Sequence, residues 1–226
     1  MNQKLTLPGV TAHFDIRQGT EDWWRIKYGK VGGTHCKSLL GDPETLINHI
    51  GACMLEPFEM EDEGYINAEM QRGNELEPLH RIEISKYAEV EFLECGWLQN
   101  EIIPIIGISP DGITKDLTIG WEGKAPGKVK HAATLYGGII PIDNARQCVH
   151  YFSANKYLEK IYFSSFRPEC NYPLFVREAT LDTVVNLGTP KTPVNKTVRD
   201  WVAIYQAAAI TLQENVRIYN ENLAKI

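Results

Sequence analysis

The chain lacks a long apolar run, a cysteine pair and any excess of positive charge, and each absence narrows what it can be. A bilayer-crossing helix needs about 20 consecutive apolar residues, and no segment of the 226 residues approaches that length. The first residues, Met1-Asn2-Gln3-Lys4-Leu5-Thr6-Leu7-Pro8, have neither the apolar core nor the small-residue cleavage site of a secretory signal, which predicts a cytoplasmic protein. The five cysteines, Cys36, Cys53, Cys95, Cys148 and Cys170, form no Cys-x-x-Cys pair, and their odd number argues against a closed disulfide set. Reduced, structural thiols are expected. The net charge of −6 lacks the basic excess that drives phosphate binding. That shortage does not exclude a nucleic-acid partner, because clustered carboxylates can be neutralised by metal ions and only the surface facing the phosphates must be positive.

What is present is ordinary for a globular protein, with 43% hydrophobic and 23% charged residues, enough to bury a substantial core. Residues 1–226 are read as a single domain. Asp42-Pro43-Glu44-Thr45 is a helix start, with Asp in the capping position and Pro in the first turn, and the helix should run to about Leu55. Residues 56–63 hold five acidic side chains in eight and read as a solvated loop. From Asn67 to about Val90 the apolar positions Met70, Leu76, Leu79, Ile82, Tyr87 and Val90 predict a helix that Pro78 should kink or restart. Strands are expected over residues 98–103 and 105–109, then a turn at Pro110-Asp111-Gly112 and a strand over 117–124. Asp143 should cap a helix reaching about Leu158, followed by strands near 160–166 and 173–180. Gly188-Thr189-Pro190-Lys191-Thr192-Pro193 is the one linker-like segment, and beyond it Val198, Trp201, Val202, Ile204, Tyr205, Ala208, Ala209 and Leu212 recur at helical spacing. This last helix, about 196–221 within 194–222, should pack on the body. The order of elements predicts an α/β fold, a mixed sheet with helices on its faces.

The pattern that carries chemistry is Ser109-Pro110-Asp111-Gly112 followed, eleven residues after the Asp, by Glu122-Gly123-Lys124. Side chains alternate along a strand, so Glu122 and Lys124 share a face, and a hairpin can return Asp111 to the same edge. Two carboxylates and the Gly123 carbonyl are the hard oxygen donors that Mg²⁺ prefers. In two-metal phosphodiester chemistry the ions lie about 3.5–4 Å apart, one activating water and one stabilising the leaving oxygen. Lys124 could orient or help deprotonate that water and neutralise phosphate charge. Lys128, Lys130 and His131 follow as a basic patch that could equally be a solvated loop. Glu-x-Lys alone is common on ordinary strands, and Trp121 beside it reads as a core residue.

Two further segments add specificity: Gly73-Asn74-Glu75-Leu76-Glu77-Pro78-Leu79 upstream and Arg146-Gln147-Cys148-Val149-His150-Tyr151 downstream. With them the chain resembles the PD-(D/E)xK nuclease superfamily, and within it the lambda exonuclease or YqaJ-like viral recombinase family, over about Asp15 to Phe166. The resemblance implies a restriction-endonuclease-like mixed β-sheet flanked by α-helices. It implies that Glu77 helps position metal and water, that Asp111 and Glu122 are the metal ligands together with the Gly123 carbonyl, that Lys124 is the catalytic lysine and that Gln147 lies beside the active site. The segment Trp23-Trp24-Arg25-Ile26-Lys27-Tyr28-Gly29-Lys30-Val31-Gly32-Gly33-Thr34 looks like the family's 5′-phosphate region, with Lys27 and Thr34 in its Arg and Ser positions. A lysine keeps the charge but loses the bidentate fork of arginine. The family's Gln-x-Gln is Gln147-Cys148-Val149 here, which leaves the second glutamine role open.

The implied activity is that of a Mg²⁺-dependent exonuclease, with Mn²⁺ as substitute and two ions per site, resecting double-stranded DNA 5′ to 3′ to leave a 3′ single strand. The implied surroundings are a ring-shaped trimer, a single-strand annealing partner, DNA ends held partly by Lys128 and Lys130, and the host-cell cytoplasm. The rivals are a restriction-like or structure-specific endonuclease on the same fold, and a non-catalytic DNA-end binding or phage structural protein. A phosphate loop is rejected because Cys36 stands where the Gly before Lys37-Ser38 is required. An iron-sulfur cluster is rejected because Cys170 stands alone, and zinc because His13, His35, His49, His80, His131 and His150 lack ligand spacing. His80 and His150 could border the site, although satisfied structural histidines are the commoner outcome.

Overall fold

The computed structural model describes residues 3–41, 43–60 and 68–225. The expected Asp42 cap, residues 61–63 of the acidic run and Asn67 lie outside them, as does the side chain of Met70.

The amino-terminal strands β1 (Lys4–Leu7) and β2 (Val10–His13) form an antiparallel hairpin whose turn carries Gly9 at φ 82°. Then come α1 (Glu21–Lys27), a 3-10 helix at Cys36–Leu40, α2 (Pro43–Leu55) and α3 (Ala68–Ala88). β3 (Trp97–Asn100) and β4 (Gly107–Ile108) complete a four-stranded sheet in the order β1-β2-β3-β4. A second four-stranded sheet is built from β5 (Gly112–Ile113), β6 (Ile119–Lys124), β7 (Lys160–Phe166) and β8 (Leu174–Thr180), in that order. Between β6 and β7 the chain forms α4 (Lys128–Gly137) and α5 (Ile142–Ala154). The chain closes with the small hairpin β9 (Val184–Asn186) and β10 (Asn195–Thr197), then α6 (Val198–Leu223). The architecture is a mixed α/β fold.

Within the second sheet β6 and β7 run parallel, while β5 and β8 are antiparallel to their neighbours. Parallel neighbours need a long crossover, and here α4 and α5 supply it. The crossover lays α5 against β6, and that contact positions the site. The carboxyl-terminal half of α5, from Cys148 to Ala154, is buried along its whole circumference.

Several expected boundaries move. The β5–β6 hairpin turns at Thr114–Thr118, not at Pro110-Asp111-Gly112, because Asp116 organises the reversal by accepting from the Thr114 and Thr118 hydroxyls at 2.6 and 2.8 Å. Asp111 instead immediately precedes β5, at the point where the chain passes from one sheet to the other. The preceding strands are shorter than expected, since Asn100 caps a turn by accepting from the amides of Ile102 and Ile103, both at 2.8 Å. Pro78 does not interrupt α3, which is continuous over Ala68–Ala88. Burial of His80 and Ile84 against Trp121 of β6 holds the helix together across the missing amide donor. Asp143 lies inside the first turn of α5 and pairs with Arg146 at 2.9 Å rather than capping the helix, which ends at Ala154. The basic stretch after Lys124 is helix α4, not a loop, and β1, β2, α1, β9 and β10 add to the expected elements.

The terminal helix behaves as its pattern implies. Thr197 caps it by accepting from the Asp200 amide at 3.1 Å. Val198, Trp201, Tyr205, Ala209, Leu212 and Val216 are buried against α2, α5 and the 3-10 helix. Among the described residues no helix is long and apolar enough to cross a membrane. All five cysteines are free thiols, with Cys36, Cys95 and Cys148 buried.

Candidate active site

A cleft of about 820 Å³ opens between α3 on one side and α4 with the loop leading into α5 on the other. Glu77 and His80 come from α3, and Ala133, Thr134 and Ile139 from the opposite wall. Asp111, Gly123 and Lys124 form the end of the floor.

Asp111 is brought to the floor by the β5–β6 register, which pairs Gly112 with Trp121. Its Oδ2 accepts from the Gly123 amide at 2.7 Å, so the strand that carries Glu122 and Lys124 also fixes the Asp111 carboxylate. Gly123 has a steric reason to be glycine: a Cβ there would lie 2.4 Å from the Trp121 ring and 3.0 Å from His80. The glycine of Glu-Gly-Lys is therefore set by the tryptophan two residues before it.

Glu122 does not line the cleft; it is buried beside the floor against α5 and is 3% exposed. Its Oε2 accepts from the Tyr151 hydroxyl at 2.7 Å, while Oε1 meets the Lys124 ammonium and has no hydrogen-bond partner beyond that ion pair. Lys124 keeps a solvent-facing flank, with 39% of its side chain exposed. Burial works against the Lys124 charge, but Glu122 and Asp111 outweigh it and hold the pKa above the ordinary lysine value. A lysine held this way can orient a water and neutralise charge on a phosphate. The Asp111 carboxyl is pushed up to about 7, first by burial and then by Glu122. Lys124 and the Gly123 amide oppose that rise.

Glu77 also has its pKa raised by burial, against the opposing charge of Arg81 one turn on, with which it forms an ion pair. Arg81 in addition donates from Nε to the Asp111 carbonyl at 3.2 Å. This guanidinium ties α3 to the Asp111 backbone, a role that the sequence signalled only as an i, i+4 acid–base pair on a helix.

Gln147 lies outside the cleft lining. Its Oε1 accepts from Asn144 at 3.3 Å, and its Nε2 lies 3.5 Å from where a Gly33 Cβ would sit. It thus links α5 to the segment that ends in Thr34. That segment is tied to the Asp111 loop by Trp23 Nε1 donating to Ser109 Oγ at 2.7 Å, and Gln18, which precedes the segment, donates from Nε2 to the Pro110 carbonyl at 2.9 Å. Lys27 sits over the Trp23 and Trp24 rings at 3.7 and 4.2 Å, and burial lowers its pKa to about 8. Thr34 and Lys128 are exposed. Lys130 reaches across the cleft mouth to Glu69 at 2.6 Å.

His131 does not belong to the basic patch. It is buried, with Nε2 donating to the Tyr172 carbonyl at 2.9 Å and Nδ1 accepting from Ser165 Oγ at 2.8 Å. His80 lines the cleft but is satisfied structurally: Trp121 Nε1 donates to Ser164 Oγ and the Ser164 hydroxyl donates to His80 Nε2, each at 2.7 Å. Burial lowers its pKa to about 3 and keeps it neutral. His150 is buried on α5, its Nε2 donating to the carbonyls of Val31 and Gly107 at 3.2 and 3.0 Å.

Among the described residues no three His, Cys, Asp or Glu side chains converge as a ready metal cage. The donors nevertheless suit a divalent cation. Glu122 raises the cost of charge on Asp111, and Glu122 Oε1 is buried with no partner beyond the Lys124 ion pair. A hard cation held by these two carboxylates and the Gly123 carbonyl would relieve both conditions.

The model of the YqaJ-like viral recombinase domain matches residues 22–157, which spans Lys27 and all of Glu77, Asp111, Glu122, Lys124 and Gln147. The chain belongs to the YqaJ-like viral recombinase domain family. Its fold is similar to that of an alkaline exonuclease, LHK-Exo, from Laribacter hongkongensis, with a TM-score of 0.68 at 21% identity over 91% of this chain and 99% of that one. LHK-Exo in complex with dAMP gives the same TM-score and coverage at 20% identity. A comparison with curated proteins returned no match. At such identities the likeness speaks for the fold alone.

Proposed function

We propose that this protein is a divalent-metal-dependent DNA exonuclease that resects double-stranded DNA from the 5′ end and leaves a 3′ single strand. The observation that carries the reading is the pairing of Asp111 with the Glu122-Gly123-Lys124 strand at the floor of the cleft. Family membership and the fold shared with an alkaline exonuclease support it.

Asp111, Glu122 and the Gly123 carbonyl are the groups that would hold Mg²⁺ or Mn²⁺, two ions in the full site. When bound, such ions supply an activated water and offset charge at the scissile phosphate. The chain's own residues do the rest. Lys124, kept as an ammonium, faces the cleft and neutralises a phosphate oxygen, while the Gly123 amide keeps Asp111 in place. Glu77, restrained by Arg81, orients water from the α3 wall. Lys27 and Thr34 receive the 5′ terminus, and Lys128 and Lys130 contact the backbone. By the same family resemblance the enzyme works as a trimer beside a single-strand annealing protein.

End-labelled linear duplex and closed circular DNA, each with and without Mg²⁺, test the reading. The expected result is ion-dependent release of label from 5′ ends with circles intact. Rapid cutting of circles would replace the exonuclease by an endonuclease on the same site, and digestion without a divalent ion would remove the metal chemistry.

A further inference from the structure

We infer that Tyr151 is a positioning residue of the reaction, acting through Glu122 to set the geometry of the metal-binding carboxylates; this rests on the proposed metal-dependent function. Tyr151 lies one helical turn after Gln147 on α5 and is 2% exposed, so its hydroxyl must find its partner inside the protein. The partner it finds is Glu122 Oε2, at 2.7 Å, with the Trp121 carbonyl farther off at 3.5 Å. A phenol has one proton to give, and the short contact to the carboxylate takes it.

The consequence for Glu122 is directional. Its carboxylate is fixed at one oxygen by a neutral donor that cannot follow it elsewhere, because the Tyr151 ring is packed in the main core. The second oxygen, Oε1, is thereby presented towards Lys124, on the side of the site where Asp111 also lies. Without the hydroxyl, Oε2 would lose its one hydrogen-bond donor in a buried setting, and the carboxylate could rotate about its last torsion. Partners of this kind, behind a metal ligand, are worth about 10- to 100-fold in metal affinity or activity when removed. No other donor is within hydrogen-bond reach of either Glu122 oxygen among the described residues, apart from the Lys124 ammonium. The crossover of α5 over β6 explains why this donor comes from a helix remote in sequence from the Glu-Gly-Lys strand.

Tyr151→Phe removes the hydroxyl and keeps the ring in the core. The decisive measurement is Mn²⁺ affinity in the absence of DNA, by calorimetry, for wild type, Tyr151→Phe, Glu122→Gln and the double variant, with thermal unfolding of each. The expected result is Mn²⁺ binding weakened about 10- to 100-fold in Tyr151→Phe, a matching loss of kcat with KM for DNA unchanged, and no further loss when Tyr151→Phe is added to Glu122→Gln. Unchanged Mn²⁺ affinity in a folded Tyr151→Phe protein overturns the inference. So does a loss that persists undiminished in the Glu122→Gln background, which would make Tyr151 a support of the fold. A wild-type protein that binds no Mn²⁺ overturns the metal-dependent function itself, a result separable from equal affinities in wild type and variant.

Discussion

Asp111 and Gly123 are joined by a 2.7 Å hydrogen bond from the glycine amide to the aspartate carboxylate, so the two halves of the motif are one structural unit. The same peptide unit separates Glu122 from Lys124, and glycine is required there by the Trp121 ring beneath it. Substitution at Gly123 would therefore move the ligand strand and the Asp111 carboxylate together.

Asp111→Ala should abolish cleavage and weaken Mg²⁺ or Mn²⁺ binding, since it removes the carboxylate that the Gly123 amide holds at the cleft floor. Lys124→Ala should also abolish cleavage, but through loss of the charge facing the phosphate. The two are separated by measuring metal binding and DNA digestion in parallel. Full activity in either variant would dismiss the assignment of that residue.

Much of this site was legible in the sequence because its members are bound to local patterns. Glu122 and Lys124 share a face by strand alternation, whereas Glu77 was legible only through the family resemblance of Gly73 to Glu77. The register that brings Asp111 to Gly123 was not legible, since Asp116, and not Pro110-Asp111-Gly112, makes the turn. Tyr151 was invisible for another reason: its partner Glu122 is 29 residues away, joined only through the crossover of α5 over β6. The continuity of α3 through Pro78 likewise depends on burial of His80 and Ile84, a tertiary effect that outweighs local propensity.

Lys27 is expected to favour 5′-phosphorylated over 5′-hydroxyl ends, and Lys27→Ala should lose activity more on the phosphorylated end. Its pKa is lowered to about 8, so the side chain is charged below that pH and neutral above it. The preference in kcat/KM should accordingly fade as pH rises through about 8. Lys27→Arg, which stays protonated, should carry the preference to higher pH. Equal loss on both ends in Lys27→Ala would remove this residue from phosphate recognition.

His150 makes stability depend on pH. Burial lowers its pKa to about 4 from the ordinary 6.5, so the folded state binds fewer protons than the unfolded state between those values. The contribution is fully present above pH 6.5 and is lost as pH falls towards 4, a change on the order of 3 kcal/mol for this one group. Urea unfolding at a series of pH values should show a shallower slope for His150→Gln than for wild type. Identical slopes would show that the imidazole titrates normally in the fold.

Glu69 and Lys130 pair across the mouth of the cleft from opposite walls, and both are exposed. A DNA phosphate that approaches Lys130 must displace the Glu69 carboxylate. Exposed pairs are worth about 0.2–1 kcal/mol, so Glu69→Gln should tighten DNA binding by no more than about fivefold, read with Ca²⁺ in place of Mg²⁺ to prevent cutting. Lys130→Gln should weaken binding and lower the slope of log K against log salt by about one. The gain from Glu69→Gln should vanish in the Lys130→Gln background, because the carboxylate then has no cation to withhold. A gain of equal size in both backgrounds would reduce Glu69 to a general repulsion of DNA, with no specific hold on Lys130.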